Sequence, residues 1–421
     1  MRRAIAALFA LFFLVSAAFA ESYAFRFAGG ATVVDENGTV IIAPGAYERV
    51  QVLTRDDGSV SGYAVAKDVD GTSRYAILLP DGKRITDFRY ESIEAAGDSF
   101  LCGIGGAYRI VSEAGNEGTD SYSAIAYAGN GAYLTLSGNI YDEIADPLTL
   151  LDANGLKWQL GISALYGLGS FSDDLMPLCD GESVLFGYIG RNGMWQIPAQ
   201  YEYAADFGDG YALVSTRAGY GVIDSSGEAV VDASQDFAER DGNSIMTLKS
   251  GTVALYEVES GVLSLLFESE IGDASPHLSG SSVILYADDG VTALGATGQT
   301  LFSASPTASI NEAGGRYVVR DGEWTAESTY LTDADGIPLT AKYNTIRLLD
   351  GEGESAVYAY GIMADKTGDM MFGMLRGDGS IVSEPKYIEL ARVAPGLFCA
   401  VTLDGAQLID RAGNTIGDLS D

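Results

Sequence analysis

A turn glycine that returns at nearly even steps is what most restricts the folds open to this chain. It follows a short apolar run at Gly38, Gly82, Gly115, Gly155, Gly193, Gly227, Gly261, Gly298, Gly336, Gly379 and Gly413, at intervals of 33 to 44 residues with a mean of 37.5. Gly115, Gly261 and Gly298 are the weakest marks and are placed partly by spacing. The stretch Phe186–Val231 shows the cycle nearly twice. An apolar run (Phe186–Ile189) meets a turn closed by Gly193, and a second run (Trp195–Ile197) reaches Pro198 and Tyr201. A polar corner (Asp206–Gly210) leads to a third run (Tyr211–Val214), and the cycle restarts with Tyr220-Gly221-Val222-Ile223-Asp224 and Gly227. Self-similarity at a fixed period is the mark of a stacked repeat architecture.

The chemistry of each unit is that of a hairpin. Turn formers precede the glycine, as in Asp224-Ser225-Ser226, Asp333-Ala334-Asp335 and Asp410-Arg411-Ala412. The leading Asp accepts hydrogen bonds from backbone N–H groups about two residues on, and the closing Gly tolerates positive φ. Runs rich in β-formers flank the turn, such as Thr32-Val33-Val34 and Val40-Ile41-Ile42, which is a strand–turn–strand signature. An aromatic recurs beyond the second run at Tyr47, Tyr90, Tyr122, Tyr166, Tyr201, Phe237, Tyr343 and Tyr387. It is expected to pack between neighbouring units. Pro44, Pro198 and Pro385 cannot donate to a ladder, so they mark where the second run leaves the sheet or lies at its edge. Gly, Asp or Asn precedes the third run, as at Gly97-Asp98, Asp241-Gly242 and Pro395-Gly396. Beyond the leader, no window of 11 or more residues holds helical periodicity without glycine breaks.

The expected fold is therefore all-β, with helix nearly absent. It is an array of about 10–11 short antiparallel units, because a small sheet alone is marginal in water and must share its core with neighbours. Tyr201-Glu202-Tyr203-Ala204 supplies a short fourth strand, and four strands in one period match a propeller blade. A β-propeller-like ring is favoured, with an open β-solenoid as the alternative; so many units exceed the usual blade number of about four to eight.

Several units carry Phe/Tyr-Gly-[YVM]-[IL], the turn Gly, Ile/Val near Pro and then Tyr. The matches are Phe186-Gly187-Tyr188-Ile189 through Asp209-Gly210, Tyr220-Gly221-Val222-Ile223-Asp224 with Gly227, and Phe372-Gly373-Met374-Leu375 with Gly379, Val382, Pro385 and Tyr387. This pattern resembles the WG-type (KWG-like) bacterial β-repeat, with Phe or Tyr where the name-giving Trp stands and degenerate copies elsewhere. The resemblance implies an architecture and carries no catalytic residues.

Arg2, Arg3, the apolar run Ala4–Val15 and the close Ala18-Phe19-Ala20 make a secretory signal peptide. The run is too short to span a bilayer comfortably, which takes about 20 residues. The domain reading is thus 1–20 leader and 21–421 repeat region, exported or extracytoplasmic, with membrane contact only through the cleaved leader. The net charge of −33, or −35 without the leader arginines, repels phosphate backbones and anionic lipid, so nucleic acid is no partner. Disorder is excluded by a 47% apolar composition. Cys102, Cys179 and Cys399 are far apart, odd in number and set in apolar third runs, which points to buried small hydrophobes and not a disulfide framework.

Chemistry-bearing motifs are scarce. His277 is the only histidine, so no Ser-His-Asp or Cys-His set is built around it, and G-x-S-x-G, H-E-x-x-H and phosphate loops are missing. Asp333-Ala334-Asp335-Gly336 lacks the Glu that a calcium loop needs at its twelfth position, where Asn344 stands. It reads as a hairpin turn, although weak calcium binding at acidic turns stays open. Trp158, Trp195 and Trp324 are candidate ligand contacts, with core packing favoured for Trp195 and exposure for Trp324. No catalytic, cofactor or metal residue is assigned. The function expected is a non-catalytic exported binding or scaffold module for protein, peptide or glycan. The alternatives are a carboxylate-dependent, glycosidase-like hydrolase and a structural envelope protein without small ligand.

Overall fold

The computed structural model describes residues 22–27, 30–35, 39–43, 45–136, 149–151, 156–160, 169–323, 326–364 and 368–419. Among these, eleven small antiparallel sheets follow one another along the chain, each a meander of three or four strands bonded in sequence order. They cover residues 22–42, 49–78, 92–112, 124–159, 175–201, 203–235, 237–270, 275–304, 308–332, 345–387 and 389–418, and are numbered blades 1 to 11 in that order. Gly353–Ser355, a single 3-10 turn, is the sole helical element among the described residues.

The period-two character of a strand explains how these sheets stack. Adjacent residues point to opposite faces, and here each face meets a different blade. In blade 5, Ile189 packs with Leu134 and Leu150 of blade 4, whereas Tyr188 packs with Val214 and Ile223 of blade 6. In blade 10, Leu375 lies with Leu331 of blade 9, and Met374 with Leu390 and Phe398 of blade 11. Blade 1 continues the pattern across the chain ends: Val33 packs with Val60 and Tyr63 of blade 2, and Val34 with Val393, Leu397 and Leu408 of blade 11. The strand Ser22–Phe27 lies beside Arg49–Thr54 on one side and Glu389–Ala394 on the other. The array therefore closes as a β-propeller, and the open-solenoid alternative is set aside.

Most repeat glycines occupy the turn that follows the third strand of a blade, as Gly227, Gly298, Gly379 and Gly413 do; Gly193 lies between the second and third strands of three-stranded blade 5. All nine that are described, Gly82 to Gly413, have φ between 69° and 85°; Gly38 and Gly155 lie outside the described residues. Asp224, Asp333 and Asp410 each accept two backbone N–H groups on Oδ1, from residues two and four further on, at 2.8–3.0 Å. Gly261 differs. It closes a two-residue loop with Ser260, also at positive φ, between paired Glu259 and Val262.

Pro198 and Pro385 lie inside outer edge strands, Trp195–Tyr201 and Ile381–Tyr387, whose pairing is interrupted by register shifts. Pro44 and Tyr166 are outside the described residues. Tyr90, Tyr201 and Tyr387 are buried between blades, as expected, and Tyr47, Tyr122 and Tyr343 are half-buried. Phe237 departs from the expectation: it is exposed and meets Tyr220 edge-on at 6.1 Å. The sequence period is also out of phase with the blade. Tyr203–Ala204 is the first strand of blade 6, not the last of blade 5, so each sequence unit ends in one sheet and begins the next.

Candidate functional site

Outside blade 5 the polar corners before the third runs become the hairpins joining the first and second strands, next to the ring interior; in blade 5 the corner Asp173-Asp174 leads into the first strand. At these corners carboxylates tie one blade to another. Asp173 Oδ2 accepts the Gly210 N–H at 2.8 Å, Asp241 Oδ2 that of Gly280 at 2.8 Å, and Asp350 Oδ2 that of Gly396 at 2.7 Å. Each bond joins consecutive blades. Asp350 is buried and also pairs with Arg392 at 3.2 Å and with Arg411. Glu312 runs the other way, accepting from Ser281 N–H at 3.1 Å in the preceding blade.

One tie skips a blade. Asp56, on the inner turn of blade 2, accepts the Asn130 N–H at 2.7 Å and the Tyr127 hydroxyl at 2.5 Å, both on blade 4. Asn130 in turn receives Arg191 of blade 5 on its carbonyl at 3.0 Å. Gly97 of blade 3 makes this crossing possible, since a Cβ there would sit 2.6 Å from the Tyr127 hydroxyl. At this place a cavity of about 610 Å³ opens between the inner turns of blades 2, 3 and 4. It lies in the size range of small-ligand sites, about 300–1,000 Å³. Its charged lining is Asp56, Asp57, Asp98, Asp120, Arg55 and Lys157 among the described residues, and Tyr122, Tyr127 and Tyr133 supply aromatic rings.

The electrostatics of the lining are specific. Lys157 Nζ lies 2.8 Å from Asp120, whose carboxyl it holds below the usual range. Asp57 is fully exposed and is held low chiefly by the Ser59 hydroxyl, with the Ser59 N–H on Oδ1 at 2.9 Å. Arg55 Nε lies 3.2 Å from Asp98, and the same guanidinium bonds Glu113. Burial pushes the Tyr127 hydroxyl well above its ordinary range, reinforced by its bond to Asp56. Burial likewise raises Tyr122 and Tyr133. The rings of Tyr127 and Tyr133 are 5.4 Å apart and tilted by 59°.

Of the structural marks read from sequence, Tyr122 and Gly97-Asp98 line the cavity; the candidate chemical residues lie elsewhere. His277 is in the first strand of blade 8 (Ser275–Ser279), exposed, with Nδ1 3.1 Å from Glu239 Oε1 of blade 7. Cys102, Cys179 and Cys399 are free and buried, Cys102 and Cys399 in second strands and Cys179 in the first strand of blade 5. Burial pushes the thiols of Cys102 and Cys399 up to about 12. Trp158 and Trp195, from blades 4 and 5, pack against one shared core cluster, as expected for Trp195; Trp324 lies outside the described residues. Asp333 heads a hairpin turn, and no group of metal-ligating side chains occurs among the described residues. The cavity residues went unassigned in sequence because Arg55-Asp56-Asp57 and Gly118-Thr119-Asp120 read like any other polar corner; only the closed ring brings them together.

Residues 186–217 match the family of WG containing repeats, spanning the second and third strands of blade 5 and the first two of blade 6. No curated protein matches the sequence. Among solved structures, a eukaryotic initiation factor is similar at 10% identity, with 68% of this chain and 85% of that chain covered and a TM-score of 0.41. Hsv2p of Kluyveromyces lactis is similar at 8% identity, with 68% and 98% covered and a TM-score of 0.27. Apo AztD from Citrobacter koseri is similar at 12% identity, with 68% and 94% covered and a TM-score of 0.29. The chain is a β-propeller that carries a WG-type repeat.

Proposed function

We propose that this protein is an exported, non-catalytic binding module, with the cavity between the inner turns of blades 2, 3 and 4 as its ligand site for a protein, peptide or glycan. The observation that carries this reading is the Asp56 crossing, which holds three blades around a preformed, tyrosine-lined hollow. The basic, apolar and small-residue segments of positions 1–20 support export. The acidic charge supports a non-nucleic-acid partner. Affinity capture from cell-envelope fractions tests it: Tyr122→Ala is expected to lose a ligand that the unaltered protein retains. Equal capture by both, or no capture by either, sinks the assignment. Recovery of the chain from the cytoplasm with residues 1–20 still attached would remove the export part alone.

Four aspartates around one cavity also favour the second reading, a carboxylate-dependent hydrolase. Such an enzyme needs one carboxyl kept protonated as general acid. Asp57 and Asp120 are instead held low, so neither suits that role. Release of reducing sugar from oligosaccharides, lost in Asp120→Asn, would reverse that preference.

A further inference from the structure

We infer that the cavity takes a cationic side chain, an ammonium or guanidinium group presented by a peptide; this rests on the binding reading above and supplies its ligand chemistry. Among the described residues, four aspartates and two basic residues line the hollow. Both bases are already committed. Lys157 is paired with Asp120 at 2.8 Å. Arg55 is shared between Asp98 and Glu113, and Glu113 is not part of the lining. The surplus is therefore negative. A carboxylate offers about four acceptor positions. Asp98, with a side chain 90% exposed, uses only part of them on Arg55. Among the described residues Asp57 bonds its own turn through Ser59, and it stays ionised into acid solution because its carboxyl is held low. Tyr122, Tyr127 and Tyr133 add rings whose faces attract cations. An anionic ligand would enter against this charge and against that of the whole chain. A neutral sugar would leave the surplus uncompensated.

The test is calorimetric titration of the full-length protein with pentalysine, with the same peptide acetylated on every Nζ, and with a neutral N-acetylglucosamine tetramer. Pentalysine is expected to bind saturably, and acetylation or a rise from about 50 to about 500 mM salt to weaken it by about tenfold. The double variant Asp57→Asn/Asp98→Asn is expected to weaken it about as much, whereas Asp404→Asn, an exposed aspartate on blade 11, leaves it unchanged. Thermal melts check that the variants fold. If Asp57→Asn/Asp98→Asn and Asp404→Asn bind pentalysine equally, attraction resides in the general acidic surface and the inference is overturned. If the neutral tetramer binds instead, insensitive to salt but lost in Tyr122→Ala, the cationic claim falls while the binding reading stands. If neither probe binds and Tyr122→Ala captures the same envelope material as the unaltered protein, both fall.

Discussion

At the scale of single residues, the repeat glycine combines two demands that substitution separates. Gly82 and Gly336 have nearly the same backbone, with φ of 80° and 79°. Around Gly82 a Cβ would meet nothing within 4 Å, whereas at Gly336 it would lie 2.2 Å from the Phe302 ring. Gly82→Ala carries only the left-handed strain of an L-residue, about 1 kcal/mol. Gly336→Ala adds a packing clash of about 1–3 kcal/mol. Urea titrations should rank them in that order, and equal losses would show that strain alone matters. The cysteines make a second prediction. With burial raising all three thiols, to about 12 for Cys102 and Cys399, the thiolate needed for reaction is scarce at neutral pH. A disulfide reagent should titrate none of them in the native protein and all three in denaturant; rapid native labelling would contradict the burial argument. Turn aspartates such as Asp224 and Asp378 have carboxyls held low, chiefly by the hydroxyls of Ser226 and Ser380. Their contribution is complete above the unfolded value of 3.8 and is lost as pH falls through the folded one.

At the scale of elements, the inter-blade ties differ in burial, and this sets their value. Asp350 is buried against Arg392, Arg411 and the Gly396 N–H. Asp350→Asn leaves two partly exposed guanidinium groups short of a counter-charge and should cost about 1–3 kcal/mol. Asp241→Asn, at an exposed tie, should cost about 1 kcal/mol or less. Glu312 has the opposite sign. Burial raises its carboxyl above 4.5 despite the Ser281 N–H, so its charged form is penalised in the folded state. Glu312→Gln keeps an acceptor and removes that penalty. Its melting temperature should exceed that of the parent by about 1 °C at neutral pH. The advantage should shrink as pH falls through the folded value and vanish below 4.5, since both side chains are then neutral. An advantage that is constant across pH would assign the gain to packing.

These ties also mark how far the sequence could be read. The glycine turn was legible because Asp224 and Gly227 act within five residues of each other, and local chemistry encodes it completely. The Asp56–Asn130 bond joins positions 74 apart, and nothing near Asp56 distinguishes it from other aspartates at polar corners. The phase of the repeat was hidden for the same reason: the short Tyr203–Ala204 strand pairs forward to Val214 and Ser215, and pairing partners are a property of the ring.

At the scale of the whole molecule, closure makes a claim about coupling that an open array does not share. In a linear stack, damage spreads from a module to its sequence neighbours. In this ring, blade 1 is the neighbour of blade 11. Val34 is fully buried among Leu397, Cys399 and Leu408, so Val34→Asp places a charge where no partner is provided, at a cost of about 4 kcal/mol. Hydrogen exchange then separates the two geometries. Faster exchange is expected in Gly30–Asp35 and, at the far end of the chain, in Leu397–Val401 of blade 11. Tyr211–Thr216 of blade 6, on neither side of the damaged seam, should keep its protection. If acceleration stopped at blades 1 and 2, the seam would carry no energy and the ring would be closed in outline only. If it reached blade 11 and left blade 6 intact, the chain ends hold each other in place. The inner turns of blades 2 to 4 would then depend on that seam for the alignment that makes their cavity.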